Sequence, residues 1–296
     1  MDLVTVTWST DLYLQKLQAY SINKYVEDAC THWVIIEDDI IPIHAWLSEL
    51  EPFYTKHTLK IIHHSKLTTD NKSIGWVRQQ ILKFKIVDYI QDASYIILDS
   101  KNFFIKPVNL NSWPIDEGNG SSHYDQETDN GKWKTWIEHV HKKTGLPVPE
   151  EFWAPETPFV IKTEVARKMM ELFSVEDLFD NAYDPSEFIL YRFLSRENKQ
   201  RHYRLVYSCW PGSEFPTWEK LNEEFDNEHV RTFGLHKAFI KENIKDFNLI
   251  CYWMIEKGFN KQVVYDLTVH YAGNQESRID FDNRKNAWSL QFSKPS

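Results

Sequence analysis

The sequence predicts an α/β fold, a mostly parallel sheet covered by helices, and three observations carry that reading. Short continuous apolar runs recur through the first hundred residues, as strands buried on both faces require. Segments with helical apolar spacing separate them. Two of the runs stop abruptly at acidic residues, where loops leave such a sheet. Leu3–Trp8 is the first strand, and Asp11–Tyr25 is a helix with Leu14, Leu17 and Tyr20 on one side. Trp33–Ile36 forms a second strand ending at Glu37-Asp38-Asp39, and Leu59–Ile62 a weaker third. A helix over about 75–91 leads to a fourth strand, Tyr95–Leu98, ending at Asp99.

Residues 109–158 break this rhythm. They contain Gly118-Asn119-Gly120-Ser121-Ser122, several prolines and four tryptophans (Trp113, Trp133, Trp136, Trp153). So long an excursion reads as an insertion, with a helix near 132–143 and the character of a binding loop or lid. A strand at Phe159–Ile161, a helix from Glu164 to Phe173 with Thr163 as N-cap, a helix over 184–196 and a strand at 204–208 follow. After residue 230 we expect a strand, an apolar helix around Leu249–Ile255 and a polar tail. These elements group as a sheet domain over residues 1–235, with the Trp-rich insertion inside it, and a C-terminal helical extension over 236–296 packing on it.

Composition narrows the function classes. With 34 basic and 43 acidic residues the net charge is −9, which argues against nucleic acid as a partner. The longest apolar run, Leu249–Ile255, is far short of the ~20 residues of a membrane span. No basic-then-apolar leader opens the chain, and three scattered cysteines form neither a disulfide framework nor a zinc site; a reducing, cytoplasmic setting is expected. Aromatic residues make up 15% of the chain, enough to line a sugar or base site as well as to fill a core.

The acidic strand ends are the first candidates for chemistry. A carboxylate there either terminates a strand at the surface or holds a cation, a ribose hydroxyl or a substrate hydroxyl. The helix before Asp99 sharpens the choice. At 100° per residue Gln79, Gln80 and Lys83 fall in an arc with Trp76, Ile86, Val87 and Ile90, while Arg78, Lys85 and Tyr89 lie opposite. Polar groups inside an apolar stripe need partners, in the protein or in a ligand, because burying them unpaired is costly. A lysine there suits an anionic diphosphate, or it snorkels to solvent.

The run Gly75-Trp76-Val77-Arg78-Gln79-Gln80-Ile81-Leu82-Lys83, followed by Tyr95-Ile96-Ile97-Leu98-Asp99-Ser100-Lys101 and on to Pro107, resembles a family of bacterial and viral proteins that look like GT-A-type glycosyltransferases. The likeness extends to Thr157–Thr163 and Pro185–Tyr191 and covers roughly residues 1–235. It implies a GT-A-like, Rossmann-related fold and transfer of a sugar from a nucleotide-sugar donor to a carbohydrate or other hydroxyl acceptor. In such enzymes an Asp-x-Asp motif holds Mn²⁺ or Mg²⁺ against the donor diphosphate, where negative charge develops on the leaving group. Here the motif is Asp99-Ser100-Lys101, without its second carboxylate. Two arrangements follow. Asp99 binds the metal with a distant histidine, His236 or His270, or Lys101 and Lys83 supply the positive charge themselves.

The same resemblance implies that Thr7 and Asp11 stand near the nucleotide, that Asp38 or Asp39 contacts the nucleoside, and that Gln79, Lys83, Asp99 and Lys101 serve the donor. Glu187 is the candidate base or acceptor-binding acid, with Asp184 beside it. Asp184-Pro185-Ser186-Glu187 also has the form of a helix start, Asp at the N-cap and Glu three residues on. Trp153 and Glu156 are candidates for the acceptor wall. A catalytically silent nucleotide- or carbohydrate-binding module on the same fold is the alternative. A nucleotidyltransferase would need a glycine-rich phosphate loop near the start, and no glycine precedes Gly75.

Overall fold

The computed structural model describes residues 1–68, 75–113, 132–149, 156–174, 187–195, 205–244 and 246–272. Strand β1 (Asp2–Thr7) is the centre of a five-stranded sheet. It pairs in parallel with β2 (Thr31–Ile36) on one side and β4 (Ser94–Asp99) on the other. β3 (Thr58–His63) extends the sheet in parallel beyond β2, and β6 (Phe159–Lys162) closes the far edge antiparallel to β4. A second sheet has the order β5-β8-β7: β8 (Thr232–Leu235) runs antiparallel to β5 (Asn102–Phe104) and parallel to β7 (Val206–Cys209). This is the mostly parallel α/β architecture that the continuous apolar runs predict.

Side chains alternate across β1, so Leu3 faces one helical layer and Val4 and Val6 the other. The first layer contains α1 (Leu12–Tyr25). The second contains α3 (Trp76–Lys85), with α4 (Lys132–Thr144), α5 (Thr163–Leu172) and α6 (Glu187–Ser195). Between β2 and β3, α2 (Ile43–Leu50) seals the sheet with Trp46 and Leu50. The chain returns to the first layer after α7 (Trp218–Asp226) and α8 (Lys237–Glu242), where α9 (Phe247–Glu256) and α10 (Lys261–Ala272) pack beside α1. Much of the aromatic content is core: Phe103 stacks on Phe233 at 5.3 Å between centroids, and Phe233 meets Trp253 at 5.5 Å, joining the small sheet to α9. No helix among the described residues is long and apolar enough to cross a membrane.

Four local expectations change. The segment expected to be a polar tail contains α10, which buries Val263, Val264 and Leu267 at helical spacing. The helix drawn over 75–91 is α-helical only to Lys85 and tightens into a 3-10 turn over Ile86–Tyr89. A 3-10 turn advances faster than 100° per residue, so the projected arc does not hold through that turn. Within the α-helical part, Arg78 is buried, not exposed, because the loop after β2 lies over it and its guanidinium reaches the Glu37 carbonyl. Thr163 is the first residue of α5 instead of its cap. Its amide continues the β4–β6 ladder to the Ala93 carbonyl, and its hydroxyl donates to the Asp92 carbonyl at 2.5 Å.

Candidate functional site

The carboxyl ends of β1, β2 and β4 meet at one edge of the sheet, and a tight turn fixes what β4 presents there. Ser100-Lys101 links β4 to β5. From α1, Gln18 donates both amide hydrogens across that turn, to the carbonyls of Asp99 and Asn102 at 2.8 Å each. The Asn102 side chain accepts from the Asp99 amide at 2.9 Å. Gln18 is itself held, since Thr5 donates to its Oε1 at 2.9 Å and Gln15 at 2.7 Å. With the Thr5 proton committed to Gln18, His32 Nε2–H donates to Thr5 Oγ1 at 2.9 Å, and His32 Nδ1 accepts from Tyr54 at 2.5 Å. His32 is therefore neutral, consistent with burial that lowers its pKa to about 3. A buried polar network of this kind rigidifies the backbone it holds.

On this turn the Asp99 carboxylate is surrounded by cations. Lys83 donates to Oδ1 at 3.0 Å, Lys101 to Oδ2 at 2.5 Å, and the Thr157 hydroxyl to Oδ2 at 3.0 Å. Burial works to raise the Asp99 pKa, but the Lys101 and Lys83 ammonium groups hold it well below the usual carboxylate range. Lys83 is buried, with its ammonium 5.5 Å from the Phe188 ring. The Lys101 ammonium lies 4.8 Å over Trp210, an indole that remains half exposed just past the end of β7.

A second ion pair adjoins the first. Asp11, at the start of α1, accepts from Ser100 at 3.0 Å through one oxygen and from Lys237 at 2.9 Å through the other. Among the described residues, three ammonium groups thus meet two carboxylates at this edge. Thr7, at the end of β1, is buried with its hydroxyl unpartnered among the described residues. His236 lies tilted against Trp210 with ring centroids 4.3 Å apart, and burial together with Lys101 lowers its pKa to about 4, so it is neutral at pH 7. His270 stacks on Tyr13 at 4.4 Å and interacts with the Thr10 carbonyl and Asp11.

The end of β2 is arranged differently. Asp38 accepts from the backbone amides of Ser9 at 2.8 Å and Ile40 at 3.2 Å, tying the β1 loop to its own. Asp39 is exposed and pairs with His63 at 2.9 Å. Glu37 is 1% exposed, and neither carboxylate oxygen makes a well-formed hydrogen bond among the described residues. Burial pushes its pKa up to about 7, against the pull of nearby Gln79, Arg78 and Trp8. Gln80 donates to the Trp76 carbonyl at 3.1 Å.

Of the other sequence-stated candidates, Glu156 is half buried immediately before Thr157. Glu187 opens α6. Asp184 and Trp153 lie outside the described residues. The three cysteines are free and buried, and burial pushes each thiol up to about 12, so none is a ready nucleophile.

A divalent ion at Asp99 fits these residues poorly. Its single carboxylate already accepts from two ammonium groups and a hydroxyl, residues 100 and 101 add no second carboxylate, and an ion there would sit against two like charges.

Residues 10–253 match DUF6492, a family of unknown function. The chain belongs to that family. No curated protein matches it. Among solved structures this DUF6492 member is similar to an active-site mutant of LgtC, at 13% identity over 79% of this chain and 87% of that one, with a TM-score of 0.47. It is also similar to the bifunctional glycosyltransferase WbbM in its apo form, at 8% identity over 79% of this chain and 45% of that one, with a TM-score of 0.49. A third is mouse xyloside xylosyltransferase 1, at 9% identity over 79% and 97%, with a TM-score of 0.42. In the DUF6492 chain, residue patterns do not single out Trp210 or Lys237. The strand-end rule that finds Asp99 applies equally to β7, but β7 belongs to the second sheet, which the hydrophobic pattern does not separate from the first.

Proposed function

We propose that the chain is a glycosyltransferase that moves a sugar from a nucleotide-sugar donor to an acceptor hydroxyl and binds the donor diphosphate through ammonium groups. The observation that carries this is Asp99 held between Lys83 and Lys101 at the carboxyl end of β4. The sequence resemblance to GT-A-type enzymes supports the donor class, and the helix that bears Gln79 and Lys83 is part of it. An ammonium group has three N–H donors, so Lys101, which spends one on Asp99 Oδ2, keeps others for phosphate oxygens. In the reaction the bond from the anomeric carbon to the diphosphate oxygen breaks and the bond to the acceptor oxygen forms. The acceptor proton passes to a base, for which Glu187 and Asp184 are our candidates. In this reading the ammonium groups beside Asp99 stabilise the negative charge that develops on the departing diphosphate.

In this reading Thr7, Asp11 and Asp38 border the nucleotide, while Trp153, Glu156 and Trp210 line the acceptor side. Metal at Asp99, with His236 or His270, is the competing arrangement. The two are separated by thermal shift with nucleotide-sugars and nucleoside diphosphates, in Mn²⁺ and in chelator. Stabilisation that persists in chelator and is lost in Lys101→Ala supports the ammonium reading. Stabilisation that needs Mn²⁺ and is lost in Asp99→Ala refutes it. Binding with neither hydrolysis nor transfer of the sugar marks a silent module.

A further inference from the structure

A different cluster lies at the β2–β3 side of the same edge. β3 ends at His63, paired in register with Ile36, and His64 begins a 3-10 turn over His64–Lys66. Along a strand, consecutive side chains point to opposite faces. The turn beginning at His64 breaks that alternation and brings the two imidazoles to 4.3 Å between centroids. Asp39, three residues past β2, reaches them from the neighbouring loop. One ligand atom from each of Asp39, His63 and His64 lies within 4.8 Å of the other two.

From this geometry we infer that Asp39, His63 and His64 form a binding site for a divalent transition-metal ion, with coordination positions left open. The inference does not rest on the transfer reading. Two imidazoles and one carboxylate suit Zn²⁺, Co²⁺ or Fe²⁺, not the all-oxygen shells of Mg²⁺ or Ca²⁺. The His63 orientation supports it. Ser65 Oγ sits 2.8 Å from His63 Nδ1, which without an ion accepts from the Ser65 amide at 3.4 Å; in the tautomer that gives the Nε2 lone pair to a metal, Nδ1–H donates to Ser65 Oγ as an outer partner. At present Nε2 is 2.9 Å from Asp39. Tetrahedral ligands about 2.1 Å from an ion stand roughly 3.4 Å apart. The Asp39 side chain is 88% exposed and free to swing by that difference.

His64 supplies the independent observation. It is 7% exposed, and its Nδ1 has no hydrogen-bond partner among the described residues. A buried imidazole nitrogen left so is costly, and a metal bound through Nδ1 relieves the cost. Asp38 adds negative charge beside the cluster, while Arg78 on α3 opposes a cation there. The site is separate from Asp99, because β3 and β4 are three strand spacings apart, roughly 14 Å.

The test is Co²⁺ titration of the untagged, chelator-stripped full chain, followed by visible absorption. One Co²⁺ should bind per chain with the bands of a nitrogen- and oxygen-ligated ion. Asp39→Asn, His63→Gln and His64→Gln should each weaken binding by more than the roughly 10–100-fold that loss of an outer partner costs. Asp99→Asn should leave binding unchanged. Asp39→Asn alters an exposed side chain, so an unchanged melting temperature in chelator separates loss of the ion from loss of the fold. Absence of Co²⁺ binding by the parent chain overturns the inference, as does binding that survives both Asp39→Asn and His63→Gln.

Discussion

Lys83 and Asp99 meet at 3.0 Å, and the lysine is the more deeply buried of the two: its side chain is 5% exposed, that of the aspartate 27%. Removing either partner therefore has unequal effects. Asp99→Asn removes the one carboxylate that both ammonium groups share, and we expect a loss of about 3 kcal/mol. Lys83→Met leaves Asp99 paired with Lys101 and Thr157, and should cost about 1 kcal/mol or less. The pH dependence has a definite sign. Because the folded pKa of Asp99 is depressed, its contribution is present above its unfolded value and lost as pH falls below it. Urea unfolding at pH 7 and in acid should show the Asp99→Asn deficit shrink in acid; equal deficits at both values would contradict the ion-pair account.

Glu37 behaves in the opposite sense. Its pKa rises from an ordinary 4.5 to about 7, chiefly through burial. Between those values the native state keeps a proton that the unfolded chain releases, so stability falls as pH rises through that window. Glu37→Gln should match the parent near pH 4 and exceed it at pH 8, by at most about 3 kcal/mol. Chemical denaturation at the two pH values is the measurement, and a difference that does not grow with pH would refute it.

Gly234 is held to its size by two neighbours. A methyl group there would come within 2.4 Å of Ser208 Oγ and 3.1 Å of Ser208 Cβ, with the Asn102 amide at 3.5 Å. Gly234→Ala should cost about 1–3 kcal/mol. Adding Ser208→Gly should recover most of it, because the crowding atoms belong to Ser208. A double-mutant cycle that shows no coupling would place the cost elsewhere.

Trp210 separates the acceptor role from the donor role. A half-exposed indole beside Lys101 offers a flat face to a sugar ring, and Trp210→Ala should raise the acceptor KM roughly two- to tenfold. Trp210→Phe should restore most of the effect. If donor affinity falls in parallel in Trp210→Ala, the ring serves to position Lys101 instead.

The extent to which sequence revealed this molecule follows from how each part is stabilised. β1, β2 and β4 are buried on both faces and read as apolar runs, and the rule that sites lie beyond strand ends leads directly to Asp99. Lys83 is legible because a cation inside an apolar stripe needs a partner. Arg78 is not, because its burial depends on the Glu37 loop lying over α3, a tertiary contact that no helical projection contains. Glu37 belongs to the acidic run after β2, yet nothing in the pattern distinguishes it from exposed Asp39 two residues on. Lys237 reaches Asp11 from 226 positions away, so their pairing emerges only with the three-dimensional fold.

The strand order has a consequence for synthesis. β1 is made first but lies at the centre of its sheet, and its pairing with β4 waits until residue 99 has left the ribosome. Asp11 and Asp99 then wait longer, for Trp210, His236 and Lys237, which the chain supplies more than a hundred residues later. Emerging from its N-terminus, the protein completes the scaffold of its main sheet at β6 before its charged edge is assembled. A ribosome-stalled chain ending near residue 205 would therefore carry every strand of the main sheet and still lack the indole and the lysine that complete the edge.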